Sequence, residues 1–185
     1  MARLPLATRD GVPEDQRAAF DEVVKGYGSI PKYGPGSVMI NVPLAHQKVI
    51  ALNRHLRNSS TLPKKLQELA MIVTAREWDC QYIWNAHAAS ARSLGIADAV
   101  VDSIRDRKDL PKMPADELAI VRFGQELMRT KRVSRGSFQA VVEQFGKEGA
   151  VELGLLFGNY GMLAMLVNSF DVDIPPERKE ALLPV

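Results

Sequence analysis

The sequence predicts an all-α protein, a single-domain bundle of several helices. Three observations carry that reading. Strand signals are nearly absent: no β-branched run alternates cleanly, and no Asn-Gly or Asp-Gly hairpin joins two such runs. Apolar residues instead recur at helical spacing, as in the stripe Leu66, Leu69, Ala70 and Val73. Pro and Gly then separate one such stretch from the next.

The segments follow in order. A helix over 13–25 opens with Pro13, Glu14 and Asp15, the chemistry a helix N-terminus prefers, and stops at Gly26. The stretch 27–41 holds Gly28, Pro31, Gly34, Pro35 and Gly36 and reads as a loop long enough to be functional. A second helix covers 43–57, and Pro63 starts a third. Asp79 is the expected N-cap of a fourth helix that ends at Gly95. A short helix over 97–105 follows, then a loop marked by Pro111 and Pro114, then an amphipathic helix over 115–131. Ser134 caps 135–145, the last long helix spans 147–170, and 174–185 is a Pro-rich tail. No repeat or low-complexity tract is visible.

Bulk properties narrow the function. With 185 residues the chain fits one domain, its core over about 33–170, preceded by an N-terminal helix and loop and followed by the tail. The composition, 46% hydrophobic and 25% charged, is ordinary for a soluble protein. A net charge of +2 with no basic block gives no electrostatic case for nucleic acid. The single cysteine excludes an internal disulfide framework and fits a reducing cytosol. The apolar run at the N-terminus is too short for a signal peptide, so a cytoplasmic protein is expected. The most apolar stretch, 151–167, contains Glu152 and Asn159 and is short for a membrane span, which makes it a core helix.

One spacing carries chemistry: Glu68, then Cys80 twelve residues on, then Tyr82, Trp84 and His87. Seven steps at about 100° per residue bring Cys80 and His87 to one helix face. Placed in the first turn after an Asp79 cap, Cys80 would have its thiolate favoured and its pKa lowered. The plainer reading is an inert buried cysteine and a packed histidine. Glu68 lies among Leu69, Ala70, Met71, Ile72 and Val73, where a carboxylate needs a partner or a raised pKa. Trp78, Tyr82 and Trp84 read first as packing residues, with Trp84 a possible wall of the site. No metal is expected: His46 and His55 fall on opposite faces of one helix, with no acidic residue near them. Neither a serine-hydrolase elbow nor a phosphate loop is present.

Glu68, Cys80, Tyr82, Trp84 and His87 together resemble the core motif of the carboxymuconolactone decarboxylase family, which includes the alkylhydroperoxidase D-like proteins. Outside the core, Tyr33, Gly34 and Pro35, the run Ser37, Val38 and Met39, and the segments around Tyr160 and Asn168 to Phe170 resemble a longer subgroup. The resemblance implies an all-α fold, assembly into trimers or hexamers, and a catalytic site of Glu68, Cys80 and His87, with Tyr82, Ile83 and Trp84 as substrate-binding neighbours. It implies two chemistries: a two-cysteine peroxidase with a Glu and His proton relay, and cofactor-free decarboxylation of a carboxylated lactone. Ile83 stands where the redox branch has its second cysteine, so an internal disulfide cycle is unavailable. Decarboxylase-like members often have Glu at that position, and this chain lacks that too.

The leading expectation is cofactor-independent acid–base chemistry on a small carboxylated lactone or related acid. Its residues are His87 as proton donor, Glu68 as its orienting partner and Cys80 as a wall or weak donor. Arg54, Arg57, Arg76 and Arg92 are candidates to hold a substrate carboxylate. The alternatives are a one-cysteine peroxidase acting through Cys80, and a helical oligomer that binds a small hydrophobic acid without turnover. The expected partners are a small-molecule substrate and further copies of the chain, as dimer, trimer or hexamer, with no nucleic acid and no membrane.

Overall fold

In the computed structural model, which describes every residue except Met1 and Lys179, the regular structure is helical throughout the described residues. The α-helices are α1 (Arg17–Tyr27), α2 (Gly34–Met39), α3 (Pro43–Asn58), α4 (Lys64–Glu77), α5 (Gln81–Ser93), α6 (Asp98–Asp106), α7 (Ala115–Thr130) and α8 (Arg135–Ser169). The molecule is all-α, as the absence of strand signals predicted.

Helix α4 is the axis of the fold. Every residue from Leu66 to Arg76 is buried, because α5, α7 and α8 all pack against it. A helix covered on all sides is apolar all round rather than striped, and the run Leu69 to Val73 has that composition. Glu68 is therefore carried into the interior by its own helix. A second, smaller cluster joins Ala7, Val12, Phe20, Val23 and Ile40, and seats α1 against the start of α3.

Three boundaries differ from the sequence reading. The first helix is preceded by a 3-10 turn over Glu14–Gln16, and α1 proper begins at Arg17. The glycine- and proline-rich stretch read as loop contains α2, with Pro35 in its first turn, where a missing N–H costs nothing. The junction of α4 and α5 shows the third difference. Asp79 has φ 47°, and the N–H of Cys80 donates to Ala75 O at 2.7 Å while that of Asp79 donates to Arg76 O at 3.2 Å. This is the paired bonding of a Schellman stop, with Asp in the left-handed position usually held by Gly. Cys80, not Asp79, is consequently the N-cap of α5, and the Asp79 side chain pairs with Arg76 and Arg107.

Helix α8 is kinked at Gly146, whose φ of 68° and ψ of −175° divide it where the sequence divides 135–145 from 147–170. It is long and apolar enough to cross a membrane, but 56% of its apolar window is buried within the molecule, as expected of a core helix. The tail after α8 straps across the start of α5. Trp84 Nε1 donates to Ala181 O at 2.9 Å, Gln81 exchanges two 2.9 Å bonds with Leu183, and Leu183 is buried.

Candidate functional site

Four helices each deliver one polar side chain to the same place. His87 comes from α5, Glu68 from α4, Arg57 from the last turn of α3 and Tyr160 from the middle of α8. Glu68 Oε2 lies 2.7 Å from His87 Nδ1, and Arg57 Nη2 donates to Glu68 Oε1 at 2.9 Å. The other end of the guanidinium, Nη1, donates to the Tyr160 hydroxyl at 3.2 Å. The Tyr160 ring meets the His87 imidazole edge to face, centroids 5.3 Å apart.

Burial alone would raise the Glu68 carboxyl. The hydrogen bond and charge of His87, together with Arg57, outweigh it and hold Glu68 below the ordinary carboxylate range. Glu68 is thus an ionised acceptor at neutral pH, and it takes the proton on Nδ1 of the imidazole. That fixes the tautomer: in neutral His87, Nε2 is the free lone pair, and in the imidazolium it is the donor. Burial also raises Tyr160, against the lowering by Arg57, so the phenol keeps its proton.

Three of these groups reach a cavity of about 700 Å³, with Glu68 buried behind His87 and Arg57. His87, Arg57 and Tyr160 line it on one side, with Tyr82 and Ile83 from α5 beside them. Tyr27, Tyr33 and Met39 lie on the lining contributed by α1 and α2, and Arg54 is at the exposed part of the wall. The glycines of α2 explain the close packing of the tyrosines. A Cβ on Gly34 would fall 2.2 Å from Tyr82 Cζ, and one on Gly36 would fall 2.9 Å from the Tyr27 hydroxyl. Side chains at these positions would displace the rings.

The sequence-predicted site divides accordingly. Glu68 and His87 meet; Tyr82 and Ile83 reach the cavity. Cys80 does not. Its exposure is zero, it is absent from the lining, and burial pushes its thiol up to about 11 despite hydrogen bonding from the Ile83 and Tyr82 backbone. The expected fall in its pKa is therefore reversed. Cys80 is a cap residue with φ −87° and ψ 96°, not the first-turn residue that the helical-phase argument assumed. Trp84 is also fully buried, with its indole N–H turned to the tail, and it forms no wall of the cavity.

Of the four arginines, Arg76 pairs with Asp79, and Arg92 with Asp98, Asp102 and Glu180. Arg54 and Arg57 are the two at the cavity, and Arg54 has no ion pair among the described residues. Two participants were not picked out as site residues by sequence reasoning: Tyr160, which entered only as part of an outer motif, and Tyr27. No sequence spacing links residues from α1, α3 and α8, so only tertiary structure brings them together.

No protein-family model matches the chain, and no curated protein is significantly similar to it. Solved structures are similar in fold. An uncharacterised peroxidase-related protein from Ralstonia eutropha, described as an alkylhydroperoxidase D core, has TM-score 0.72 at 20% identity, covering 95% of this chain and 93% of its own. A putative alkylhydroperoxidase D antioxidant defence protein from Agrobacterium tumefaciens has TM-score 0.65 at 17% identity, covering 73% of this chain and 93% of its own. The debrominase Bmp8, in a cysteine-to-alanine variant with 2,3,4-tribromopyrrole, has TM-score 0.67 at 15% identity, covering 95% of this chain and 92% of its own. The protein thus has the all-α alkylhydroperoxidase D-like fold.

Proposed function

We propose that this protein is a cofactor-independent acid–base enzyme acting on a small carboxylated lactone or a related acid from aromatic-compound breakdown. The observation that carries the reading is the hydrogen bond between Glu68 and His87 at the wall of the cavity. Loss of CO₂ from a carboxylated lactone leaves its electron pair in the ring as an enolate. The enolate needs hydrogen-bond stabilisation and then a proton on carbon. His87, as imidazolium, supplies that proton from Nε2 while Glu68 stabilises its charge; water returns the proton afterwards. Arg54 holds the carboxylate or the lactone oxygen, being the cation at the cavity that no acid neutralises among the described residues. Tyr27, Tyr33 and Tyr82 give the cavity aromatic faces suited to a small planar ring. Bmp8, of the same fold, holds a small planar ring, a brominated pyrrole.

The peroxidase-related neighbours favour the second reading, a one-cysteine peroxidase. Against it stands Cys80, fully buried and with its thiol up at about 11, whereas peroxide is attacked by an accessible thiolate. The separating experiment assays purified protein against carboxylated lactones, reading CO₂ release, and against alkyl hydroperoxides with an external thiol. The proposal expects CO₂ release that is retained in Cys80→Ala and falls on the order of 10²-fold or more in His87→Ala. Hydroperoxide turnover abolished by Cys80→Ala would replace it with the peroxidase. Tight binding of a hydrophobic acid with no turnover of either panel would replace it with a non-catalytic binder.

A further inference from the structure

The cavity lining supplied by α1 contains a pair of side chains that the reaction described above does not use. Tyr27 is the last residue of α1, and its hydroxyl lies 3.4 Å from Nε2 of His46 on α3. The two ring centroids are 5.7 Å apart, tilted by 44°. His46 has zero exposure and is not on the cavity lining, whereas Tyr27 is on it and is 49% exposed. A fully buried imidazole thus backs a phenol that a ligand can reach.

The direction of that contact follows from what His46 lacks. Burial keeps the imidazole neutral, so it carries one N–H and one lone pair. Its Nδ1 has no hydrogen-bond partner among the described residues. If Tyr27 donated to Nε2, the proton would sit on Nδ1 and a buried N–H would be orphaned. If Nε2 carries the proton and donates to the phenol oxygen, only a lone pair goes unfilled. An orphaned buried N–H is the rarer defect in folded proteins, which selects the second arrangement. Tyr27 then accepts from His46 and keeps its own proton to give. Its hydroxyl has no other partner among the described residues, and burial raises the phenol, so it stays a donor at neutral pH.

Helix α2 makes room for this hydroxyl at the cavity. Gly36 is itself on the lining, and a Cβ there would stand 2.9 Å from the Tyr27 oxygen and 3.4 Å from Pro31 Cβ. Only a residue without a side chain lets the phenol lie this close to the α2 backbone.

We propose that Tyr27 donates its phenol proton in a hydrogen bond to an anionic oxygen of the ligand, with His46 as the positioning residue behind it. The role in turnover rests on the lyase reading given above. There the C–C bond to the carboxylate breaks, CO₂ leaves, and the electron pair passes through the ring to the lactone carbonyl oxygen. Tyr27 hydrogen-bonds that enolate oxygen without giving up its proton. His87 Nε2 then protonates carbon, and the carbonyl re-forms.

A binding experiment tests the site without requiring turnover. The probe is 4-nitrophenolate at pH 8, a planar ring with a charged oxygen whose absorption moves to shorter wavelength when that oxygen accepts a hydrogen bond. Wild-type protein is expected to bind it saturably with this shift. Tyr27→Phe should bind on the order of 10-fold more weakly or worse and lose the shift, the scale of a hydrogen bond to a charged group. His46→Phe should weaken binding several-fold, and His46→Gln, which again offers an N–H, should recover most of the loss. Nitrogen-15 NMR of histidine-labelled wild type should place the His46 proton on Nε2, a readout that stands even if a variant does not fold. Absence of binding by the wild type, undiminished binding by Tyr27→Phe, or a His46 proton on Nδ1 would each overturn the proposal. Where CO₂ release is found, Tyr27→Phe should lower kcat more than it raises KM, because the enolate charge appears only in the transition state. A protein that binds as expected but releases no CO₂ would overturn the lyase reading and leave the Tyr27 site standing.

Discussion

The Glu68 carboxylate lies 2.7 Å from His87 Nδ1, and this contact determines which nitrogen of the imidazole serves the cavity. Replacing the acid by its amide keeps the shape and removes the charge that stabilises imidazolium. Glu68→Gln is therefore expected to lower turnover on the order of 10-fold or more, and Glu68→Ala on the order of 10²-fold. The kcat of the two variants on the active substrate checks this. A Glu68→Gln protein with wild-type kcat would mean the carboxylate is structural only.

The same carboxylate links stability to pH. Its folded pKa is depressed by His87 and Arg57 against the opposing effect of burial. A depressed acid stabilises the fold above its unfolded pKa of about 4.3, and that stabilisation is lost as pH falls through the folded value. His46 acts in the same direction in a higher window. Burial lowers it to about 4; its Nδ1 has no partner, and only the Tyr27 hydroxyl, at 3.4 Å, approaches Nε2. The unfolded chain binds a proton there near pH 6.5 and the folded chain does not, so stability falls as pH drops from about 6.5 to 4. His46→Phe should flatten that part of a urea-midpoint curve, leaving the Glu68 limb below it. An unchanged slope would show that His46 is free to protonate in the fold.

The sequence made the all-α class and most helix limits legible because Pro, Gly and the caps act locally. Ser134 accepts from Ser137 N as a cap should, and Gly146 breaks α8 at the expected residue. What failed was also local in cause. Pro35 and two glycines read as loop chemistry, yet they open a short helix whose glycines are required by Tyr82 and Tyr27, partners distant in sequence. Asp79 read as a cap because it precedes an apolar stretch, but its positive φ ends α4 and shifts the cap by one residue. That single shift placed Cys80 at the cap, outside the helical repeat on which the shared-face expectation rested. The link through Arg57 to Tyr160 joins positions more than a hundred residues apart, which no helical periodicity reports.

Cys80 has an outcome of its own. A thiol with zero exposure and a pKa pushed up to about 11 should resist a thiol-specific reagent such as dithionitrobenzoate at pH 8. It should react fully once the protein is unfolded in urea. Cys80→Ala removes one buried sulfur and is expected to cost about 1–2 kcal/mol, whereas Cys80→Ser adds the burden of a buried hydroxyl. Rapid labelling of native protein would reveal an opening that reaches the start of α5.

Arg57 holds two groups at once, Glu68 through Nη2 and Tyr160 through Nη1. A lysine keeps the charge but is a point donor without the planar fork, so it cannot reproduce both bonds in this geometry. Arg57→Lys should thus retain folding and lose part of the activity, and Arg57→Met should leave the buried Glu68 with His87 alone. A kcat that falls further in Arg57→Met than in Arg57→Lys, with KM little changed, is the pattern expected of a residue that orients the pair rather than gripping substrate. A dominant rise in KM would make Arg57 a substrate anchor.

Gly34 offers the sharpest structural test, because two independent penalties coincide there. Its φ is 67°, in the left-handed region that a β-carbon disfavours, and the added methyl of Gly34→Ala would stand 2.2 Å from the Tyr82 ring. Backbone strain of about 1 kcal/mol adds to a clash that Tyr82 relieves only by rotating away from the cavity. Gly34→Ala is therefore expected to lower the urea midpoint and to weaken ligand binding together. Tyr82→Ala removes the obstructing ring, so Gly34→Ala made in that background should cost only the backbone share. A double-mutant cycle on urea midpoints measures the coupling between the two positions. Additive losses would mean that the ring and the glycine do not meet as described.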